Sequence, residues 1–364
     1  MIHITQPYPG QVLNRRQGEA TAAGLRVTLR GTVRGAATVH VNGQPTPALL
    51  GEFSTPVELL PGRNELVATA DGALGQGRHT VEVWYDPHGA QRYRLSVDDN
   101  SFWLRELALH PTQYGSLFDC FYLRLWRDLH ERFGLQVVLN IYYRTADGFT
   151  LDQFPERWKA EFEASADWLK LAWHAAANDP DRPYEYTGYD QIAHDLELVE
   201  GHIRRFAGEG TCSQPTVVHW AEATRQGVQA LLDRGVRNLS GLFYQGAGRP
   251  VGVYHLRDER AELADHCAQW IDRDTGLAFS RIDLVINNTP LEQVAPRLEA
   301  LVAQPAHAEI LDLFTHEQYF WPFYRSFVPD HAERVTAAVQ WATEHGYRPC
   351  WFHEGFLGGP EIRG

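Results

Sequence analysis

Near residue 90 the chain changes its rhythm, and one kind of sheet cannot hold both halves. Up to residue 88 it runs in short alternating segments: Leu25 to Leu29, Ala37 to Val41, Glu65 to Ala70 and His79 to Tyr85. Turn pairs punctuate them, namely Pro9-Gly10, Asn42-Gly43, Pro61-Gly62 and Asp71-Gly72. Short strands at close, regular spacing predict a small all-β sandwich over 1–88. Asn-Gly after an alternating run is a hairpin signal, because both residues tolerate positive φ. Asp86-Pro87-His88-Gly89 reads as the linker.

From Tyr93 onward, apolar runs alternate with helical periodicity. Gln136 to Tyr143 is a continuous apolar run, as expected of a strand buried on both faces. Further strands are expected at Leu95–Val97, Leu169–Trp173, Thr216–Val218, Leu239–Tyr244, Val251–Leu256, Leu277–Ile286, Ile310–Phe314 and Arg348–Phe352. Helices are expected at Leu117–Phe133, Glu156–Trp168, Gln191–Arg205, Arg225–Leu232, Leu291–Ala303 and Pro329–His345. Gly134 and Gly346 stand where helix-ending glycines belong. The alternation predicts an α/β unit over 93–364, an irregular (β/α) barrel of about seven or eight strands.

The polar residues fall at the ends of those strands. Asp98-Asp99, His174, His219, His316-Glu317 and His353-Glu354 each stand at or just after one. In a (β/α) barrel these ends converge on one face, where the chemistry sits. Asp and His without cysteine suit a divalent ion such as zinc. The expected ligands are Asp99 and His174, with His316 third and His219 in reserve. His174 leads into Asp179-Pro-Asp-Arg-Pro-Tyr184, a loop whose prolines forbid regular structure. The histidines on helix-like stretches, such as His130, His202 and His345, read as ordinary packing residues. Trp103, Trp220 and Tyr319 stand beside the same strand ends as candidate platforms for sugar rings, whose C–H faces stack on aromatic rings.

Composition excludes several classes. A formal net charge of −13 with no Lys/Arg cluster argues against nucleic acid as a partner. No run approaches the ~18 apolar residues of a membrane span. The first residues lack the basic and apolar regions of a leader. The expectation is a cytoplasmic chain, with an exported precursor cut after its leader as the alternative. Cys120, Cys212, Cys267 and Cys350 are too scattered for a disulfide framework or a zinc knuckle. GxSxG, Walker A and a strand-borne GxGxxG are all absent.

Two resemblances add to this reading. Thr38-Val-His-Val-Asn-Gly43, Phe53 and Leu60-Pro-Gly-Arg-Asn-Glu-Leu66 resemble bacterial immunoglobulin-like modules, which commonly accompany carbohydrate-active enzymes. Ser96-Val-Asp-Asp99 resembles the first motif of the polysaccharide deacetylases, the NodB-homology barrel of the carbohydrate esterases. That resemblance implies Asp98 as catalytic base, Asp99 as metal ligand, and a histidine such as His316 or His353 as acid. It also implies a saccharide substrate. The family's second motif pairs two histidines; here His174 matches one, and Asn178 and Asp179 stand where the other would be. His219-Trp220-Ala-Glu222 replaces its arginine-proline motif. A glycosidase is the rival enzyme, with Asp98 and either Glu317 or Glu354 as paired carboxylates about 5 Å or ~6.5–9.5 Å apart. A non-catalytic carbohydrate-binding protein is the other alternative. Oligomeric state is left open.

Overall fold

The computed structural model describes residues 1–352 apart from 36–37, 73–74, 247, 258–259 and 261–265. His353 and Glu354 therefore lie outside the described residues.

The first part contains nine strands: β1 (Ile2–Gln6), β2 (Val12–Asn14), β3 (Glu19–Ala20), β4 (Leu25–Val33), β5 (Thr38–Val41), β6 (Gln44–Leu49), β7 (Glu52–Leu59), β8 (Gly62–Gly72) and β9 (Gly75–Asp86). They pair along one path, β1-β4-β7-β6-β5-β8-β9-β2, with β3 beside β4. The result is a single curled sheet in place of two separately paired layers. In β4 every second residue is buried, so Leu25, Val27, Leu29 and Val33 face a core shared with Val39, Phe53, Leu66 and Val83. Asn42 and Gly43 take φ of 47° and 79°, the expected primed turn between β5 and β6. Leu50-Gly51 makes the next hairpin with φ of 54° and 84°. A leucine at positive φ carries no turn signature, so that hairpin is invisible in the sequence.

The second part is mixed α/β. Seven strands form an all-parallel sheet: β10 (Arg92–Asn100), β11 (Val137–Tyr142), β12 (Leu169–Ala175), β13 (Cys212–Ser213), β19 (Leu284–Val285), β20 (Ile310–His316) and β21 (Arg348–Pro349). The main path is β13-β12-β11-β10-β20-β19, and β21 pairs with β10. Three more, β14 (Asn238–Gly241), β17 (Gln269–Ile271) and β18 (Ala278–Arg281), pair separately as β14-β18-β17. Short β15 (Tyr244–Gln245) and β16 (Pro250–Val251) form a two-stranded pair of their own.

Strand pairing thus does not close into one ring among the described residues. Backbone bonds tie β14 to the segments that leave and rejoin the main sheet, from Ser240 N–H to the Thr216 carbonyl after β13 and from Ile282 N–H, just before β19, to that of Gly241. Thr216–Val218, expected as a strand, stays outside the ladders, as does most of Val251–Leu256. Helices α1 (Phe102–Leu109), α2 (Phe121–Phe133), α3 (Lys159–Ala164), α4 (Tyr189–Ala207) and α5 (Arg225–Asp233) separate the strands, followed by Leu291–Val302 and His331–Glu344. Gly134 ends α2 at φ 71° as expected, while α1 directly after the Asp pair was not anticipated. No helix among the described residues is long and apolar enough to cross a membrane. No disulfide joins the cysteines among the described residues.

Register positions the site. β10 and β20 run in parallel with Arg94 opposite Asp312 and Asp98 opposite His316. Residues two apart share a face, so a polar row lines it: Arg94 meets Asp312 at 3.3 Å, and Ser240 donates to Asp312 at 2.6 Å. Burial pushes the Asp312 carboxyl up to about 6, against the pull of Arg94 and Ser240.

Candidate active site

Four strands of one sheet carry the strand-end residues to the same side of the fold. β10 ends in Asp98 and Asp99, and Asp99 takes φ 61°. That left-handed turn breaks the β10–β11 register between Val97 and Asn100 and swings the carboxylate off the sheet. His174 comes from β12, His219 from the loop after β13, and His316 from β20.

The Asp99, His174 and His219 side chains converge. One donor atom of each lies within 4.8 Å of the other two. His174 Nε2 stands 3.2 Å from Asp99 Oδ1 and 3.1 Å from His219 Nδ1. His219 Nδ1 is 3.4 Å from the same carboxylate oxygen. On its far side, His174 Nδ1 lies 3.1 Å from the Val217 carbonyl. A carbonyl only accepts, so Nδ1 carries the proton and a neutral ring presents its Nε2 lone pair to Asp99. Burial favours that neutral ring and lowers the His174 pKa to about 4. A lone pair aimed at a carboxylate oxygen is repulsive, and a cation between them resolves it. The residues therefore fit a divalent ion: one carboxylate, two imidazoles, and a backbone carbonyl fixing one ring's tautomer.

His219, the reserve at the sequence level, is the third member of this cluster. His316, the expected third ligand, stands apart from it. Its Nδ1 lies 3.0 Å from Asn287 Oδ1, and Asn287 in turn donates to Asn288, which aims the amide oxygen at the ring. Burial lowers the His316 pKa, partly offset by Asp99. The turn at His219–Ala221, with Trp220 at φ 64°, follows a run outside the ladders and leaves no mark in the sequence.

Asp98 is buried beside the cluster. Asn140 donates to its Oδ1 at 2.7 Å, and its Oδ2 is 3.6 Å from His174 Nε2. Burial first, and then Asp99, raise its pKa well above the carboxylate range, against the Asn140 bond. Asp99 behaves oppositely. Burial opposes its charge, yet the carboxyl is held well below that range, with Tyr142 and Gln318 donating to its two oxygens.

Glu317 is not a free carboxylate. It is fully buried and accepts from Ser101 N–H at 2.5 Å, Phe102 N–H at 2.9 Å, Trp103 N–H at 2.7 Å and Trp321 Nε1 at 3.1 Å. The first three are unpaired donors of the first turn of α1, where Ser101 provides no side-chain cap. Burial raises the Glu317 pKa to about 7 despite these bonds. With its lone pairs committed, Glu317 is a poor catalytic partner for Asp98, which corrects its sequence-level role.

Trp103 is also corrected. It is fully buried against Phe154 and Phe162, with its indole N–H on Asn100, and cannot stack on a ligand. Trp220 is 45% exposed, takes φ 64°, and carries the Arg182 guanidinium over its ring at 4.8 Å. Tyr319 is partly buried, its ring 5.8 Å from that of His316.

Three site residues were missed. The Tyr142 hydroxyl donates to Asp99 Oδ1 and lies 3.0 Å from His219 Nδ1. Gln318 donates to Asp99 Oδ2 at 2.6 Å. Asn140 holds Asp98. Only Asn140 left a signal, as a lone amide inside an apolar run. Asn178, at the position of the resembled family's second histidine, reaches Tyr142 at 3.4 Å and not the cluster itself.

No family model and no curated protein sequence matches the chain. Among solved structures, the chain is similar to a family 4 acetyl xylan esterase from Clostridium thermocellum in complex with a cobalt ion. Identity is 10%, covering 71% of this chain and 87% of that one, with a TM-score of 0.35. A peptidoglycan deacetylase from Bacillus subtilis is similar at 10% identity, with the same coverage and a TM-score of 0.34. The fibronectin(III)-like modules of Clostridium thermocellum CbhA are similar at 14% identity over 28% of this chain, with a TM-score of 0.20; the chain spans 57% of their length.

Proposed function

We propose that this chain is a metal-dependent hydrolase that removes an acyl group, most simply acetyl, from a saccharide. One observation carries the reading: Asp99, His174 and His219 present ligand atoms within 4.8 Å of one another, beside the buried carboxyl of Asp98. Asp99 Oδ1, His174 Nε2 and His219 Nδ1 would hold the ion. A divalent ion there supplies a Lewis acid for an acyl carbonyl and makes water a better nucleophile.

The chain's own residues supply the rest. Asp98 Oδ1 is held by Asn140, so Oδ2, facing the cluster, is the atom that takes a proton from water. Burial and the neighbouring Asp99 raise the Asp98 pKa, and a cation alongside favours the ionised form a base requires. His316, fixed through Nδ1 by Asn287, would hand a proton from Nε2 to the departing oxygen or nitrogen as its imidazolium, a form that burial opposes and Asp99 favours. Trp220 gives an exposed ring next to His219 for a sugar face. In this reading residues 93–364 are the catalytic unit, an incomplete (β/α) barrel, and residues 1–88 an accessory immunoglobulin-like module.

The test is metal content and acetate release on the purified chain. One equivalent of zinc, cobalt or manganese is expected, with acetate freed from acetylated oligosaccharides. Asp98→Asn should keep the ion and lose about 10²–10⁴-fold in rate, since only the proton acceptor is removed. Release of reducing ends without acetate would replace this reading with the glycosidase.

A further inference from the structure

We propose that a groove next to the candidate site holds a second sugar residue of the same glycan chain, so that the ligand is an oligosaccharide and not a single sugar. The inference rests on the saccharide reading above. The groove has a volume of about 380 Å³ and is lined by Phe102, Arg105, Thr145, Asp147, Trp321 and Phe323, among others.

Its position follows from the chain. Asp99, Tyr142 and Gln318 meet at the candidate site. Three residues further along each segment, Phe102, Thr145 and Trp321 enter the groove. Three residues span at most roughly 10 Å. Their strands β11, β10 and β20 are neighbours in the sheet. The groove is thus a direct continuation of the site, on the side away from Trp220, which follows β13.

Its chemistry suits a neutral sugar. Phe323 is 66% exposed and packs 5.1 Å from Phe102 and 5.5 Å from Trp321, leaving an aromatic face open to solvent. Trp321 is held from below by its bond to Glu317, and Phe102 by its N–H on the same carboxylate, so two of the three rings are fixed in place. Opposite the rings, Arg105 forms an ion pair with Asp147, and Thr145 donates to Asp147. Glu106, which accepts from the Tyr114 hydroxyl, completes the polar lining, so the groove offers donors and acceptors with one net negative charge. That suits hydroxyl groups better than phosphate or carboxylate. A protein partner needs about 800 Å² of surface on each side, far more than this concave strip provides.

The test is calorimetric binding of the intact chain to N-acetylglucosamine oligomers and acetylated xylo-oligosaccharides of increasing length, with acetate release followed in parallel. Affinity for at least one series should rise about tenfold from the shortest to the longest member, as expected for one well-packed aromatic contact. Phe323→Ala, an exposed change, should abolish that gain and leave the shortest member's affinity unchanged. Arg105→Ala should reduce the gain. An equal gain in Phe323→Ala, or no dependence on length in either series, overturns the proposal. If acetate is released equally well at every length, the groove inference falls while the deacylase reading stands. If length-dependent binding is lost in Phe323→Ala and no acetate appears, the groove stands and the deacylase reading falls.

Discussion

Gln318 donates its amide to Asp99 Oδ2 across 2.6 Å, and this contact decides which carboxylate oxygen is left for the histidines. The Tyr142 hydroxyl and the His174 and His219 rings all gather on Oδ1. Asp99 pays for this with a left-handed backbone, a conformation few non-glycine residues hold without support. Support comes from the turn just after β20, through Gln318 and its neighbour Glu317. Gln318→Leu removes the Oδ2 donor and frees the carboxylate to rotate. Weaker metal binding is expected, with the chain still folded. Titration of cobalt into the metal-free variant, compared with wild type, measures it.

Glu317 should matter for stability before it matters for rate. Glu317→Gln keeps the shape but sets an amide N–H group against donors. Each buried group left unsatisfied costs about 1–3 kcal/mol. A loss of about 3 kcal/mol in urea unfolding is expected. A change below about 0.5 kcal/mol would contradict the four-donor geometry seen around this carboxylate.

The two late histidines should separate cleanly. His219→Ala removes a member of the three-residue cluster and should abolish stoichiometric metal. His316→Ala should retain metal and lose rate, because this ring is engaged with Asn287 and stands outside the cluster. Metal analysis of the two purified variants decides the matter. Metal lost from His316→Ala and kept by His219→Ala would restore the assignment made from the sequence.

The two tryptophans should part in the same way. Trp103→Ala opens a hole in a fully buried aromatic cluster and should cost about 3–5 kcal/mol. Trp220→Ala alters an exposed ring and should change stability by under about 1 kcal/mol while raising KM. Urea curves and saturation kinetics on both variants distinguish a core residue from a platform.

The strand ends carrying Asp98-Asp99 and His174 could be read from local pattern, because an apolar run stopping at a charged or imidazole residue is visible in one dimension; the run before His219 gives the same signal without forming a strand. What those residues touch could not. Glu317 follows His316 in the chain and looks like a second catalytic carboxylate. Only its pairing with α1, more than two hundred residues earlier, shows that its lone pairs are taken. Trp103 has the same ambiguity, since a tryptophan beside an active strand end packs inward or outward with no sequence mark. Tyr142 and Gln318 were hidden because a tyrosine ending an apolar strand and a glutamine in a polar turn are both commonplace. The barrel expectation rested on β/α alternation, which supports a mixed α/β unit but not closure, because register and closure depend on long-range pairing. There the short strands β14 to β18 pair in separate sheets.

His331 gives the pH prediction. Its ring is stacked on Phe320 at 3.8 Å and lies 2.7 Å from the Thr315 hydroxyl. Burial, and then the charge of Arg334, lower its pKa to about 3. In the unfolded chain a histidine titrates near 6.5. Between those values the unfolded chain binds a proton that the folded chain refuses, so stability falls as pH drops through that window. The slope approaches about 1.4 kcal/mol per pH unit for one such group. From pH 7 to pH 5 this residue should remove about 2 kcal/mol. His331→Leu cannot take up the proton in either state. Its unfolding free energy at pH 7 will differ from wild type, but its loss between pH 7 and pH 5 should be smaller by about 2 kcal/mol. Urea unfolding of both metal-free proteins at the two pH values measures this difference, and equal losses would mean that His331 is protonated inside the fold.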